Sequence, residues 1–288
     1  MKSLSMVLKS SRPVSWINTA YPFAAAYLMI TRQIDLTLVL GTLFFLIPYN
    51  LLMYGINDVF DYESDLRNAR KGGIEGAILP KELHKTVILS GVISAAPFVV
   101  ALLALGNLLS STVLIFSLFT VVAYSVKGLR FKERPFLDSV TSATHFVLPM
   151  VFAFAVTGSN LQSKTFVTIT VAFMLWAMAS HAFGAVQDVK ADREGNISSI
   201  ATYFGSRATT RSAFVMYLAS GIYLFTLGWP NNLVAAVNVG YLAILFPHLW
   251  ITDETCEKAN IGWRKFIWLN FLAGFIVTMV LIYNLLKP

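Results

Sequence analysis

The sequence predicts an all-α, polytopic membrane protein: nine transmembrane helices in a single domain, residues 1–288. Three observations predict it. Hydrophobic residues make up 56% of the chain and charged residues only 13%, against roughly 25% charged in an ordinary soluble domain. Nine stretches contain no Asp, Glu, Lys or Arg, each close to the ~20 residues that carry a helix across the hydrocarbon core. The charges between those stretches alternate in number, as the loops on two sides of a membrane do.

The first stretch, 14–30, follows Lys2, Lys9 and Arg12. A basic start before an apolar run resembles a signal peptide, but eight further stretches argue for a retained first helix. The second, 36–56, runs into the acidic sequence Asn57-Asp58-Val59-Phe60-Asp61-Tyr62-Glu63-Ser64-Asp65. The third and fourth, 86–106 and 108–126, are separated by almost nothing, and the link from Trp229 to Asn232 between the seventh and eighth, 212–228 and 233–251, is equally tight. The fifth, sixth and ninth cover 139–157, 165–187 and 266–286. Long loops fall only on the other side, at about 57–85, 127–138, 188–211 and 252–265, so the chemistry belongs there.

On a nine-helix reading, the N-terminus and the four long loops carry 19 of the 22 Lys and Arg residues, leaving Arg32, Lys164 and Lys287 opposite. The positive-inside rule then places the N-terminus and long loops in the cytoplasm, the C-terminus outside, and the protein in the cell membrane. Acids follow the same division, 14 of 15, with Asp35 alone outside. The net charge of +7 therefore describes a rim facing membrane lipids, not a nucleic-acid surface. Cys256 is the single cysteine, which excludes a disulfide framework and reads as an inert cytoplasmic thiol.

In the first acidic cluster, Asp58, Asp61 and Asp65 fall within about 60° of one another on a continuing helix, while Glu63 points away into solvent. Like charges packed this way are unfavourable unless a cation compensates. Mg²⁺ suits such a site, since it takes oxygen ligands and is usually held by one or two carboxylates together with substrate phosphates. The second cluster is Asp188-Val189-Lys190-Ala191-Asp192, two carboxylates one helical turn apart at the end of the sixth span. DxxxD alone is a weak signal. Its value comes from lying at the same membrane level as the first cluster, which allows the two to clamp metal ions and a diphosphate, stabilising a leaving group. An amide precedes an acid in both, Asn57-Asp58 and Gln187-Asp188, a faint internal repeat that suggests two related halves across a cavity.

A diphosphate needs cationic partners, and Arg70, Arg130 and Lys132 lie on the proper side, with Arg12 and Lys127 as further candidates. Tyr124 closes the fourth span just before this basic loop, where its phenol can cap the donor or face a cation. His181 lies within about 20° of the face of Asp188, and His145 sits in the fifth span; both read first as structural hydrogen-bonding groups. Asn18, Thr19 and Asn50 can either line a cavity or join helices.

The joint pattern, NDxxDxxxD after the second span and DxxxD after the sixth in a nine-helix chain, resembles the UbiA superfamily of intramembrane prenyltransferases over essentially the whole length. Arg12-Pro13, Arg70 five residues after Asp65, the loop from Tyr124-Ser125 to Lys132, and Gly195 after Asp192 support it. The resemblance implies a helical bundle around a central cavity with a cytoplasmic cap, and Mg²⁺-assisted ionisation of a prenyl diphosphate. It assigns Asn57, Asp58, Asp61, Asp65, Asp188 and Asp192 to the metal, and Arg70 and Lys132 to the diphosphate. Tyr124-Ser125-Val126-Lys127 departs from relatives that carry a small residue and proline after Tyr-Ser, so the roles of Lys127, Arg130 and Lys132 are interchangeable at this point.

The stretches SRPVSWINTAYPFAAAYL, PYNLLMYGINDVFDYESDLRNARKGG, RFKERPFLDSVTSATHF and GAVQDVKADREGNISSIAT resemble, more narrowly, bacterial lycopene elongases. That implies transfer of dimethylallyl units from dimethylallyl diphosphate to the ends of lycopene, with a carotenoid cyclase as a possible partner. An aromatic acceptor of the quinone, haem or chlorophyll type is the alternative; it would need a polar or carboxylate-binding group near the donor. A secondary transporter would place charges near the bilayer midplane, and all nine stretches are free of them.

Overall fold

The computed structural model describes residues 2–66 and 78–287. Among the described residues every regular element is helical, and the chain divides into two compact units. The first comprises the described residues of Met1–Phe131 with Thr144–Ser159, the second Lys132–Ala143 with Asn160–Pro288. Six helical runs are long and apolar enough to cross a membrane: Leu36–Phe60, Lys81–Leu105, Leu108–Ser125, Leu137–Val156, Lys164–Val186 and Asp253–Leu286. The protein is thus a multi-pass membrane protein.

The first unit starts with α1 (Lys2–Ser10), whose Val7 and Ser10 are buried, and α2 (Trp16–Thr31). At 16 residues, α2 spans only about 24 Å at 1.5 Å per residue, short of a ~30 Å core. Asp35 caps α3 (Leu36–Leu46) by accepting from the Leu38 amide at 2.9 Å, and Tyr27 donates to its other oxygen at 2.7 Å. Gly41 is required here: a Cβ would lie 2.2 Å from the Phe23 ring.

Between α3 and α4 (Pro48–Phe60) the helix breaks, because Pro48 has no N–H to continue the ladder and restricts Ile47 before it. The carbonyls of Phe45 and Leu46 are then taken up by the side-chain amide of Asn50, at 2.9 and 3.0 Å, and Thr19 donates to Phe45 O at 2.6 Å. In hydrocarbon an unpaired carbonyl costs several kcal/mol, so Asn50 and Thr19 repair the break and join helices. The chain then forms α5 (Tyr62–Asp65), α6 (His84–Leu105) and α7 (Leu108–Ser125). Asn107 makes the tight turn before α7: its side chain accepts from Ser110 N–H and donates to Ala155 O at 2.7 Å. Phe23, Phe44, Phe45, Tyr49 and Phe152 form the aromatic centre of this unit's core.

α8 (Leu137–Val156) is followed by α9 (Lys164–Val186), the short helices α10 (Val189–Glu194) and α11 (Ile200–Phe204), then α12 (Ser206–Phe225), α13 (Ala235–Leu245) and α14 (Ala259–Leu286). α9 and α12 approach closely through Ala172, Ala179, Ala182, Ala213 and Ser220, the small residues membrane helices use at interfaces. Tyr217 stacks on Tyr241 at 4.7 Å and hydrogen-bonds to Ser180 at 2.7 Å. α12 falls short as an apolar span because it begins Ser206-Arg207-Ala208-Thr209-Thr210-Arg211, and α13 has 11 α-helical residues flanked by 3₁₀ turns, the second carrying Pro247. All nine charge-free stretches are therefore largely helical, although α2, α12 and α13 are shorter or more polar than the expectation of uniform spans.

Candidate active site

In the first unit the acidic cluster lies where α4 ends. The chain does not continue through it as one regular helix: α4 stops at Phe60, Asp61 turns at φ −97°, ψ 0°, and α5 carries Asp65. This corrects the expectation of one uninterrupted helix. Asp61 N–H donates to Asn57 O at 2.9 Å and Asp65 N–H to Asp61 O at 2.8 Å, so the turn stays nearly helical. Glu63 is exposed and pairs with Lys81 at 2.8 Å, as a solvated charge should.

Asp58 has a side chain with no solvent exposure, and Arg12 Nη2 donates to its Oδ1 at 2.9 Å. The Arg12 guanidinium also covers the Tyr54 ring at 4.3 Å, and its buried Nε has no hydrogen-bond partner among the described residues. Asp61 is faced by Arg130, with Nη2 3.9 Å from Oδ1, and Asp65 is buried. Arg12 and Arg130 hold left-handed backbone, φ 51° and 40°, a conformation costing a non-glycine residue about 1–2 kcal/mol. Such strain clusters at functional sites. Asn57 Oδ1 accepts from the Ser125 hydroxyl at 3.1 Å, bringing the end of α7 to the acidic turn. Beside it the half-buried Tyr124 meets the buried His145 edge-on, rings 5.3 Å apart. Lys127 is exposed, and Arg70 lies outside the described residues.

In the second unit α9 ends at Val186, and Asp188 is the N-cap position of α10 rather than a continuation of α9, a second correction. The cause is Gln187: its side chain donates back to Gly184 O at 2.9 Å and accepts from Asn260 at 2.5 Å, fixing the turn. Asp192 N–H donates to Asp188 O at 2.8 Å, and both side chains are half-buried. Each amide of the suspected repeat accepts from a side chain of a later helix, Asn57 from Ser125 and Gln187 from Asn260. Lys132 is half-buried in a 3₁₀ turn, Phe131–Glu133.

Sequence reasoning missed Asp138. It is fully buried, accepts from Ser139 N–H and Ile200 N–H at 2.6 Å each, and lies 3.8 Å from His181 Nε2. Its available signal was an acid set directly against the start of an apolar span. Asp253 was also missed; it accepts from Ser206 N–H and pairs with Arg193, each at 2.7 Å. Cys256 is buried, 4.0 Å from Gln187 O.

Among the described residues no three His, Cys, Asp or Glu side chains gather into a metal-holding group. The donor set is nonetheless all oxygen, carboxylates with neighbouring amides, which suits Mg²⁺ and not a soft metal. Mg²⁺ also needs few protein carboxylates when phosphates complete its shell.

Three comparisons bear on this arrangement. The UbiA prenyltransferase family matches residues 19–272. A lycopene elongase/hydratase of Corynebacterium glutamicum is 48% identical over 282 residues, 98% of each chain. The C(50) beta-cyclic carotenoids biosynthesis protein LbtBC of Dietzia sp. is 49% identical over 284 residues, 98% of this chain and 66% of that one. A UbiA homolog from Archaeoglobus fulgidus bound to DMAPP and Mg²⁺ shares the fold, with a TM-score of 0.67 at 18% identity, covering 93% of this chain and 98% of that one.

Proposed function

The chain belongs to the UbiA prenyltransferase family, and from that premise we propose that it transfers dimethylallyl units from dimethylallyl diphosphate to the ends of lycopene. The observation that carries the acceptor is the 48% identity, end to end, with a lycopene elongase/hydratase. A forty-carbon polyene offers no charged group to grip, and charge-free spans with 14% aromatic residues suit it.

In this reading Asn57, Asp58, Asp61 and Asp65 of the first unit, and Asp188 and Asp192 of the second, would hold Mg²⁺. Such a metal would supply neutralisation of charge on the departing diphosphate. Arg12, with its unused buried Nε, Arg130, Lys127, Lys132 and Arg70 bind the diphosphate oxygens. Its C–O bond breaks with the electron pair leaving on oxygen, and Tyr124 presents a ring face to the allylic cation. The terminal alkene of lycopene attacks that cation, forming the new C–C bond and a tertiary cation. Water adds to it with loss of a proton, as the word hydratase in the relatives' names favours; direct proton loss gives the alkene instead. The protein sits in the cell membrane with its N-terminus and acidic clusters cytoplasmic and its C-terminus outside, and a carotenoid cyclase acts next on the elongated ends.

Expression in a lycopene-making bacterium, with the pigments weighed by mass spectrometry, tests this. The expected result is pigment heavier than lycopene by one and two five-carbon units, with or without water. Unaltered lycopene alongside membrane-inserted protein would overturn the acceptor assignment.

A further inference from the structure

Asp138 stands in the first turn of α8 with its side chain at 0% exposure. A buried carboxylate is costly unless its oxygens are hydrogen-bonded. Here Oδ1 accepts from the Ser139 N–H at 2.6 Å and the Ser139 hydroxyl at 3.2 Å, and Oδ2 accepts from the Ile200 N–H at 2.6 Å, 62 residues along the chain. The Ile200 N–H is one of the orphan donors at the start of α11. Ser199 and Thr202 close the same helix start with a capping box. Asp138 therefore fixes the point at which the chain leaves the acidic segment.

Upstream of Ile200, backbone hydrogen bonds hold the acidic segment together: Ile197 N–H donates to the Asp192 carbonyl and Asp192 N–H to the Asp188 carbonyl, both at 2.8 Å. On the entering side, His181 of α9 lies seven residues before Asp188 with Nε2 3.8 Å from Asp138 Oδ2. One buried carboxylate thus meets the chain on both sides of the segment from Asp188 to Asp192.

The geometry points to Asp138 as a positioning residue: it holds the segment bearing Asp188 and Asp192 in the orientation in which those carboxylates take up Mg²⁺ and the donor diphosphate. This rests on the reading that Asp188 and Asp192 are metal ligands. Groups that orient ligating carboxylates are worth about 10–100-fold in metal affinity when removed.

The test uses the full-length protein as D138A and D138N. The amide keeps the side chain's volume but turns one acceptor into a donor facing an N–H. Without metal or donor, amide hydrogen exchange in D138A should rise in peptides covering 188–204 and stay unchanged in those covering 48–60. With dimethylallyl diphosphate and lycopene, half-saturation by Mg²⁺ should rise about tenfold while half-saturation by lycopene holds. D138N should shift both in the same direction by less, and it carries the test if D138A does not fold. Unchanged exchange over 188–204, exchange rising evenly across both sets of peptides, or a fall in turnover with the Mg²⁺ requirement unmoved would each overturn the proposal. D192N, assayed alongside, separates the premise: full turnover in D192N would remove the second cluster from the metal site, whereas its loss with an unaltered D138A would overturn the positioning role alone.

Discussion

Asp58 and Asp61 are each met by an arginine from outside their own helix, whereas Asp188 and Asp192 ride on a short segment fixed through its backbone. In the first unit charge meets charge directly, Arg12 on Asp58 at 2.9 Å and Arg130 near Asp61 at 3.9 Å. In the second, two other acids do the holding: Asp138 takes the Ile200 N–H and Asp253 the Ser206 N–H. Arg193, next to Asp192, pairs with Asp253 and reaches Thr202 O at 3.2 Å. The difference is one of burial. The Asp58 side chain is sealed from solvent against its arginine, while Asp188 and Asp192 are half-buried. If both clusters serve the proposed chemistry, substitutions should cost stability and turnover together in the first cluster and turnover alone in the second.

The largest test of that contrast is R12A. It leaves a buried carboxylate without its arginine, and breaking a buried pair from one side costs about 3–5 kcal/mol. The unfolding midpoint in detergent should fall steeply; the R12A/D58A double variant should recover much of it, because the stranded charge is gone, yet show no turnover. D192N probes the other side of the comparison. Turnover should drop at least about a hundredfold, the scale of losing one electrostatic contact to a developing charge, with the midpoint nearly unmoved. A large loss of stability in D192N would erase the distinction.

G41A should lower stability by about 1–3 kcal/mol, the usual cost of overpacking, because its methyl would meet the Phe23 ring. Turnover per folded molecule should be unchanged, since neither Gly41 nor Phe23 is among the proposed site residues. The smallest effect is expected at Asp35. The Leu38 amide, then the Tyr27 hydroxyl, outweigh burial and hold its carboxyl below the ordinary value. A lowered folded value means the stabilisation is complete above the unfolded pKa and is lost as pH falls through the folded one. Unfolding midpoints of wild type and D35N, whose asparagine still caps α3, should therefore differ at neutral pH and converge in acid.

What was legible in the sequence was local. Charge-free runs gave the helices, and acids at the ends of the second and sixth spans gave the candidate site, because both signals lie within a few residues of one another. Three features were not legible. The break at Pro48 is repaired by Asn50 and Thr19, 31 residues apart, so their polarity left lining a cavity and joining helices equally open. Arg12 and Asp58 are separated by 46 residues and Asp138 and Ile200 by 62; no periodicity encodes such pairings. Spacing placed the carboxylates on single continuing helices; at Asp61 the backbone ladder indeed persists through a looser turn, whereas at Gln187 a side chain tied to Asn260 starts a new helix.

The central claim is that each cluster is separately required to ionise the donor. Diphosphate release from labelled dimethylallyl diphosphate, measured in membranes carrying wild type, D61A or D188A with lycopene and Mg²⁺ present, tests it most directly. Wild type should release diphosphate and either variant only background, with both variants still inserted in the membrane. Undiminished release by D61A or by D188A would contradict it.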